Sequence, residues 1–420
     1  MSLTAEIIAV GDELLRGTIV NTNARDISLA LAPLGVEVRW QTVAGDHPAP
    51  LREALQIARD RADVILTTGG LGPTYDDLTK QTIAAAFGKA LVFHPDILEG
   101  IRVFFETNLH ITMPENNRQQ AELPEGCTVF DNPAGTAPGC AFEADGTHVL
   151  MLPGPPVEML PMLENHVVPY VSRLTDSVSV SHNLMTFGIG ESSVDQLLHE
   201  KMTYTDNPVI ATYAKPTEVR VQITAQAATA HEAEALARPV LEEARRLLGN
   251  VVYGEDVPGL EHLCLQLLKE RGLTFATAES CTGGQIAQRI TSLSGASAVY
   301  RGGVVSYWSS VKADVLGVPQ ELLDEYGAVS EPVARAMAQG ARRITGADLA
   351  VSVTGVAGPD SDERGNPVGL VYIGLATPEG VFCRKMTSGR RRRDRIQALA
   401  SNHAFDVIRR YLTDLPIEEL

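Results

Sequence analysis

The sequence predicts an α/β protein in three parts: two α/β domains joined by a small α+β domain. Three observations carry this expectation. Residues 1–90 alternate short apolar runs with amphipathic segments, the order of a βαβαβ unit. The same alternation restarts after residue 260, and the stretch between holds longer strands of alternating, β-branched character. The chain has 420 residues, 44% of them apolar. At roughly 100–200 residues per domain, that length allows two to four separate cores.

Element by element, AEIIAV (residues 5–10) is a buried parallel strand ending at Gly11. Asn21 and Thr22 can cap a helix that runs to a left-handed stop at Gly35. VEVRWQTV is a second strand, PLREALQIARDR a helix and DVILTTGG a third strand. Strands in this order form a parallel sheet with right-handed crossovers, and ligands sit beyond the carboxyl ends of such strands. Three glycine-bearing segments fall there: GDELLRGTIVNTN, GGLGPTYDD and LPGPPVEM. In the middle part, VSVSHNLMTFGIG and PTEVRVQITAQA read as strands, VDQLLHEKM and HEAEALARPVLEEARRLLG as helices. YGEDVPGL (residues 253–260) reads as a linker. The last part holds helix EHLCLQLLKERG, strand LTFATAES, helix GGQIAQRITSL, strand VVSYW, two further helices and strand DLAVSVTG. The hairpin LVYIGLATP/VFCRKMTSG and a helix through Tyr411 complete it. The domains expected are 1–172, 173–254 and 258–420.

Charge separates these parts. Lys and Arg number 35 against 52 Asp and Glu, a net −17. Residues from 258 onward hold 18 of each sign, so the acidic surplus lies wholly before them. Nucleic acid is an unsuitable partner for a chain without a basic face. Residues 175–257 hold 6 basic and 12 acidic residues, and the FGIGES segment offers no GXXG loop. No apolar run is long enough to span a bilayer, and the N-terminus lacks a signal pattern. Five scattered cysteines without CxxC spacing exclude a structural zinc site or a disulfide framework. A reducing cytoplasm is the expected location.

The chemistry-bearing residues of the last part are rich in hydroxyls and poor in histidine. Ser280 (AESCTGG), Ser297 (SGASAVY), Tyr307 and Lys312 (VSYWSSVK) and Thr354 (VTGVAGPD) fall in or near strand ends. A Ser-His-Asp triad has no histidine to use, whereas a desolvated lysine can serve as base to a serine. The competing reading makes these serines turn residues and Lys312 a solvated side chain. Gly283 and Gly284 could offer backbone N–H groups to an oxyanion or phosphate. The run Arg390-Arg391-Arg392-Arg393 precedes a helix, where positive charge opposes the macrodipole. It is either a solvated turn or a phosphate clamp.

The blocks TAESCTGG, SGASAVYRGGVVSY, GAVSEPVARAMAQGAR, VTGVAGPD and PVGLVYIGLAT resemble the CinA C-terminal domain family, which includes nicotinamide mononucleotide deamidases. The resemblance implies hydrolysis of nicotinamide mononucleotide to nicotinic acid mononucleotide and ammonia, without a cofactor. It implies Ser297 as nucleophile and Lys312 as base, with Tyr307 and Ser280 orienting them and Thr354 lining the pocket. That family's arginines after a Ser-Gly pair match Arg391 and Arg395. A homodimer is expected on the same ground. The rival is a non-catalytic adaptor for competence or DNA damage.

At the other end, Asp12, Glu13, Asp76 and Asp77 could gather oxygen ligands for magnesium, though acids beside a helix start are also ordinary caps. Gly69, Gly70 and Gly72 allow close approach to a phosphate. GDELLRGTIVNTN and TTGGLGPTYDDLT resemble the molybdopterin-binding MoaB/MogA-like domain as it occurs in CinA proteins. The resemblance implies metal-dependent ADP-ribose pyrophosphatase activity, with Asp76, Asp77 and Glu13 near the metal and Asn23 and Thr74 beside them. Pterin binding is the alternative. The middle part resembles the KH-type domain of the same family and reads as a spacer or dimerisation unit.

Overall fold

The computed structural model describes residues 3–418. The chain forms two compact units, residues 1–180 with 225–236 and residues 181–224 with 237–420. The architecture is that of two α/β domains and a small α+β domain between them in sequence.

The N-terminal domain is built on a six-stranded sheet in the order Glu37–Ala44, Thr4–Val10, Val64–Thr68, Thr147–Leu152, Gly139–Ala144, Thr128–Phe130. The first four strands run parallel and the last two antiparallel. Side chains alternate across a strand, so Ile7 and Ile8 enter different cores. Ile7 joins Ile27, Leu31, Leu66 and Met159 on one face, and Ile8 joins Leu55, Ile65, Ile83 and Met151 on the other. Both faces are covered, which explains why the central strands are continuously apolar. Asn21 caps helix Thr22–Leu31, its side chain accepting from Ala24 N at 3.1 Å. Gly35 ends the following turn at φ 68°, as its sequence position requires.

The middle segment holds a four-stranded sheet, ordered Val209–Ala214, Glu218–Ala227, Val178–Phe187, Val252–Glu255. Helices Glu191–Tyr204 and Ala230–Leu248 accompany it. Two of these strands are absent from the sequence expectation. Val252–Glu255 begins where a linker was expected, because Val252, Gly254 and Glu255 pair antiparallel with Val178–Phe187. Arg238 and Arg245 also bind the Glu255 carboxylate.

The C-terminal sheet runs Tyr300–Val305, Phe275–Glu279, Leu349–Gly355, Leu370–Ala376, Val381–Thr387. Its first three strands are parallel. Helix Arg393–Leu412 is buried along most of its length. Asp406 on that helix receives Arg384, Arg409 and Arg410 in a fully buried cluster. The strand expected at VVSYW ends earlier, at Val305, and Ser306, Tyr307 and Trp308 lead into helix Ser309–Asp314. That shift carries Tyr307 and Lys312 past the carboxyl end of the sheet.

Candidate active site

Strand Phe275–Glu279 delivers Ser280 to the carboxyl edge of the C-terminal sheet, where its N–H donates to Val353 O at 2.9 Å. The neighbouring strand delivers Ser306, whose N–H donates to Glu279 O at 2.8 Å. One helical turn later Lys312 folds back over this edge and is 1% exposed. Its Nζ lies 3.0 Å from Ser280 Oγ, 2.5 Å from Ser306 O and 3.5 Å from Tyr307 O. Among the described residues no carboxylate pairs with it, and burial pushes its pKa down to about 8. A buried amine of that pKa, touching a serine hydroxyl, is a competent general base.

Ser297, the nucleophile that the resemblance implies, is not brought beside this amine within the chain. It sits in a single turn, Ala296–Ala298, before strand Tyr300–Val305, and is exposed. Tyr300 pairs with Phe275, so Ser297 lies at the amino edge of the sheet. Five residues of strand, about 17 Å at ~3.3 Å each, separate that edge from Ser280. Proximity in sequence misled here: the strand between Ser297 and Lys312 carries them to opposite ends. The lysine's hydroxyl partner stands thirty-two positions away in sequence instead of fifteen.

Glu279, passed over in the sequence, shapes the loop after Ser280. It is fully buried, and its carboxylate accepts from Gly284 N (3.0 Å), Ile286 N (3.1 Å) and Ala287 N (2.8 Å). It therefore caps helix Gln285–Thr291 from below. Gly283 and Gly284 adopt φ 63° and 98°, conformations that favour glycine. Their N–H groups are not free for substrate, since Gly283 N donates to Ser280 O and Gly284 N to Glu279. Among the described residues, the N–H groups of Cys281 and Thr282 donate to no backbone carbonyl. Cys281 is no rival nucleophile, because burial pushes its thiol up to about 12.

Thr354, which the resemblance implies as a pocket residue, has its hydroxyl engaged elsewhere. It is 1% exposed and donates to Ala328 O at 2.7 Å, so it ties down a loop and presents no hydroxyl to a pocket. Tyr307 is half-exposed, and its OH accepts from Arg393 Nη2 at 2.7 Å. Arg393 Nη1 also donates to Gly358 O at 2.6 Å. The arginine that reaches the site is thus Arg393. Arg391 donates to Ser388 O at 3.1 Å, and Arg395 is exposed. Arg390 to Arg393 line an open cleft of about 580 Å³ with Pro359, Gln397 and Asp394, which pairs with Arg392 at 3.2 Å, and Gln397 donates to Cys281 O at 2.8 Å.

In the N-terminal domain, the three glycine-bearing loops do meet beyond the strand ends. They line a cleft of about 410 Å³ that includes Glu13, Gly69, Gly70, Gly72, Thr74, Asp76, Asp77 and Gly154. Asp46 and Glu158, both unforeseen, line it as well, and desolvation raises the Glu158 pKa. Gly70 has φ 67°, and a Cβ there would meet Thr79 Oγ1 at 2.1 Å. Thr74 N and Oγ1 bind Asp77 Oδ2 at 2.8 and 2.5 Å, and Thr74 also binds Asp76. Asn23 is a tie: its Nδ2 donates to Thr68 Oγ1 and Gly154 O, both at 2.8 Å.

Asp76, Asp77 and Glu13 line one cleft, yet they do not form a preassembled metal-binding trio. Among the described residues, the only such trio is His182, Glu255 and Asp256, outside this domain. The donor chemistry still fits a hard cation. Among the described residues five carboxylates line the cleft and no lysine or arginine does, and Asp76 and Asp77 each bind Thr74 through one oxygen only.

Comparison with known proteins agrees with this layout. A family model described as "CinA C-terminal domain" matches residues 258–412. A "Probable molybdopterin binding domain" model matches 6–173, and "Damage-inducible protein CinA KH domain" matches 181–254. A CinA-like protein of Desulfovibrio desulfuricans is 45% identical over 99% of this chain and 98% of its own. One of Dictyoglomus turgidum is 43% identical over 98% of this chain and 100% of its own. A crystal structure of a competence/damage inducible protein from Agrobacterium tumefaciens is 38% identical, covering 37% of this chain and 93% of that one, with a TM-score of 0.35. No helix among the described residues is long and apolar enough to cross a membrane.

Proposed function

This chain belongs to the CinA family, and from that premise we propose that its C-terminal domain hydrolyses the carboxamide of nicotinamide mononucleotide, with Ser280 as nucleophile. The observation that carries the reading is the 3.0 Å contact between Ser280 Oγ and the buried Lys312 Nζ. A neutral amine has two N–H bonds and one lone pair. With the Ser306 and Tyr307 carbonyls accepting those N–H bonds, the lone pair is left for the Ser280 hydroxyl proton. Ser280 Oγ then attacks the carboxamide carbon as its proton passes to Nζ. The oxyanion forms beside the N–H groups of Cys281 and Thr282. Collapse breaks the C–N bond, and Lys312 returns the proton to the departing ammonia. Water, deprotonated by the same amine, releases nicotinic acid mononucleotide from the serine ester. Arg393 fixes Tyr307 at the mouth, and the cleft of Arg390 to Arg393 receives the phosphate.

The test is ammonia release from nicotinamide mononucleotide by the purified chain. Ser280→Ala should lose at least ~10³-fold in kcat, as removal of a nucleophile does, while Ser297→Ala stays within about twofold. A non-catalytic adaptor would release no ammonia at all. Loss through Ser297→Ala with Ser280→Ala active would overturn the assignment.

The N-terminal cleft favours a second activity, cleavage of the pyrophosphate of ADP-ribose. Asp76, Asp77 and Glu13 would hold a divalent cation that neutralises phosphate charge and lowers the pKa of a bound water. Glu158, with its raised pKa, lines the same cleft as a proton carrier. Magnesium-dependent release of AMP, abolished in Asp76→Asn, separates this reading from pterin binding, which would yield no AMP.

A further inference from the structure

The cysteines are scattered in sequence, but the fold brings two of them together. Val129 pairs with Cys140 across the antiparallel strands Thr128–Phe130 and Gly139–Ala144. Cys127 stands two residues before Val129, so its side chain lies on the same face, diagonal to Cys140. Both side chains pack in one apolar cluster, Cys140 within it and Cys127 against it. Cys140 is 1% exposed, whereas Cys127 is only part-buried and reachable from solvent. Cys127 also sits outside the regular strand, following Gly126 at φ 75°, where the backbone can adjust to bring sulfur to sulfur. A third group completes the cluster. Lys80 is 4% exposed, and its Nζ donates to Gln119 O at 2.8 Å and Gln120 O at 3.2 Å.

We propose that Cys127 and Cys140 form a peroxide-oxidisable dithiol that closes to a disulfide, with Cys127 the attacking and Cys140 the resolving thiol. The division of labour follows from the surroundings. Cys127 is the thiol that solvent reaches and Cys140 the one shut away; the neighbouring Cys140 and the charge of Lys80 and Lys89 hold the Cys127 thiol below its ordinary value, while the neighbouring Cys127 and burial hold that of Cys140 above it. The Cys127 thiolate attacks one peroxide oxygen; an S–O bond forms, the O–O bond breaks, and the departing hydroxide takes a proton to become water. The Cys140 sulfur then attacks the sulfenic sulfur; an S–S bond forms, the S–O bond breaks, and hydroxide leaves with the Cys140 proton as a second water. Two electrons pass from the thiols to the peroxide. The other three cysteines, Cys264, Cys281 and Cys383, are all buried, and desolvation raises their pKa values.

The pair is wired to the N-terminal cleft. Lys80 holds the backbone of Gln119, and the Gln119 side chain donates to Gly72 O at 3.3 Å and Thr74 O at 3.1 Å, in the loop that carries Asp76 and Asp77.

The test uses the full chain, hydrogen peroxide, alkylation of remaining thiols and peptide mass spectrometry. Two of the five thiols should be lost, with a peptide pair joined through Cys127 and Cys140 and released by dithiothreitol. Cys140→Ser should stop at a sulfenic acid on Cys127 that dimedone traps, and Cys127→Ser should leave Cys140 reduced. Lys80→Met should slow the first step without changing which residues are joined. Oxidation of Cys127 to sulfinic acid without linkage would overturn the proposal. So would prior loss of Cys264, Cys281 or Cys383.

Discussion

Lys312 makes the amidase proposal quantitative through pH. Its amine is the base only when unprotonated, and burial brings its pKa to about 8. With that value the unprotonated fraction is about 1% at pH 6, about 10% at pH 7 and one half at pH 8. Ammonia release should therefore rise roughly 50-fold between pH 6 and pH 8 and flatten above about pH 9. A lysine at its ordinary value would be some 300-fold less available at pH 7, and its limb would still be climbing at pH 10. The assay is kcat against pH under saturating nicotinamide mononucleotide, since kcat reports groups in the bound complex and KM would mix in the substrate phosphate, with a pKa near 6. Substituting Lys312 by Met should remove the limb along with the activity. A profile flat from pH 6 to 8, or a limb centred near 10, would refute the argument that a dry lysine activates Ser280.

The same amine affects stability. Its folded pKa lies below its unfolded one, so between about pH 8 and 10.5 the unfolded chain binds more protons, and wild type should gain stability relative to Lys312→Met as pH rises through that window, read by urea midpoints. Glu279→Gln should cost about 2–4 kcal/mol, because one amide oxygen replaces a carboxylate that accepts three N–H bonds; denaturant titration of the C-terminal unit measures it. Gly70→Ala should cost a similar ~2–4 kcal/mol in the N-terminal domain, since its Cβ would collide with Thr79 Oγ1 in a left-handed backbone, and an unshifted transition would contradict the turn described.

Most of the fold was legible in the sequence because burial on two faces leaves continuous apolar runs. AEIIAV and DVILTTGG are such runs, and both are central strands. Val209–Ala214 was not legible: it is a sheet-edge strand of mixed burial whose pattern resembles a loop. The site was half-legible. Lys312 and Ser280 stood out as chemistry-bearing residues, but which hydroxyl meets the amine depends on strand direction, and a parallel pairing separates Ser297 from Lys312 by the length of the sheet. Glu279 was hidden because its role is exercised through backbone N–H groups, which no side-chain motif reports. Arg393 lay within a run of four like residues, and only the helix phase distinguishes it from Arg391.

On the proposed amidase reading, the buried carboxylate beneath the serine loop would decide which way round a nucleotide enters. An uncapped helix start attracts anions, but here that positive pole is already answered from inside the protein. A phosphate would then find the helix start already answered and would be drawn to the guanidinium rim, leaving the uncharged amide end to face Ser280. On that reading, polarity of approach would be written into one acid lying beneath the substrate's path.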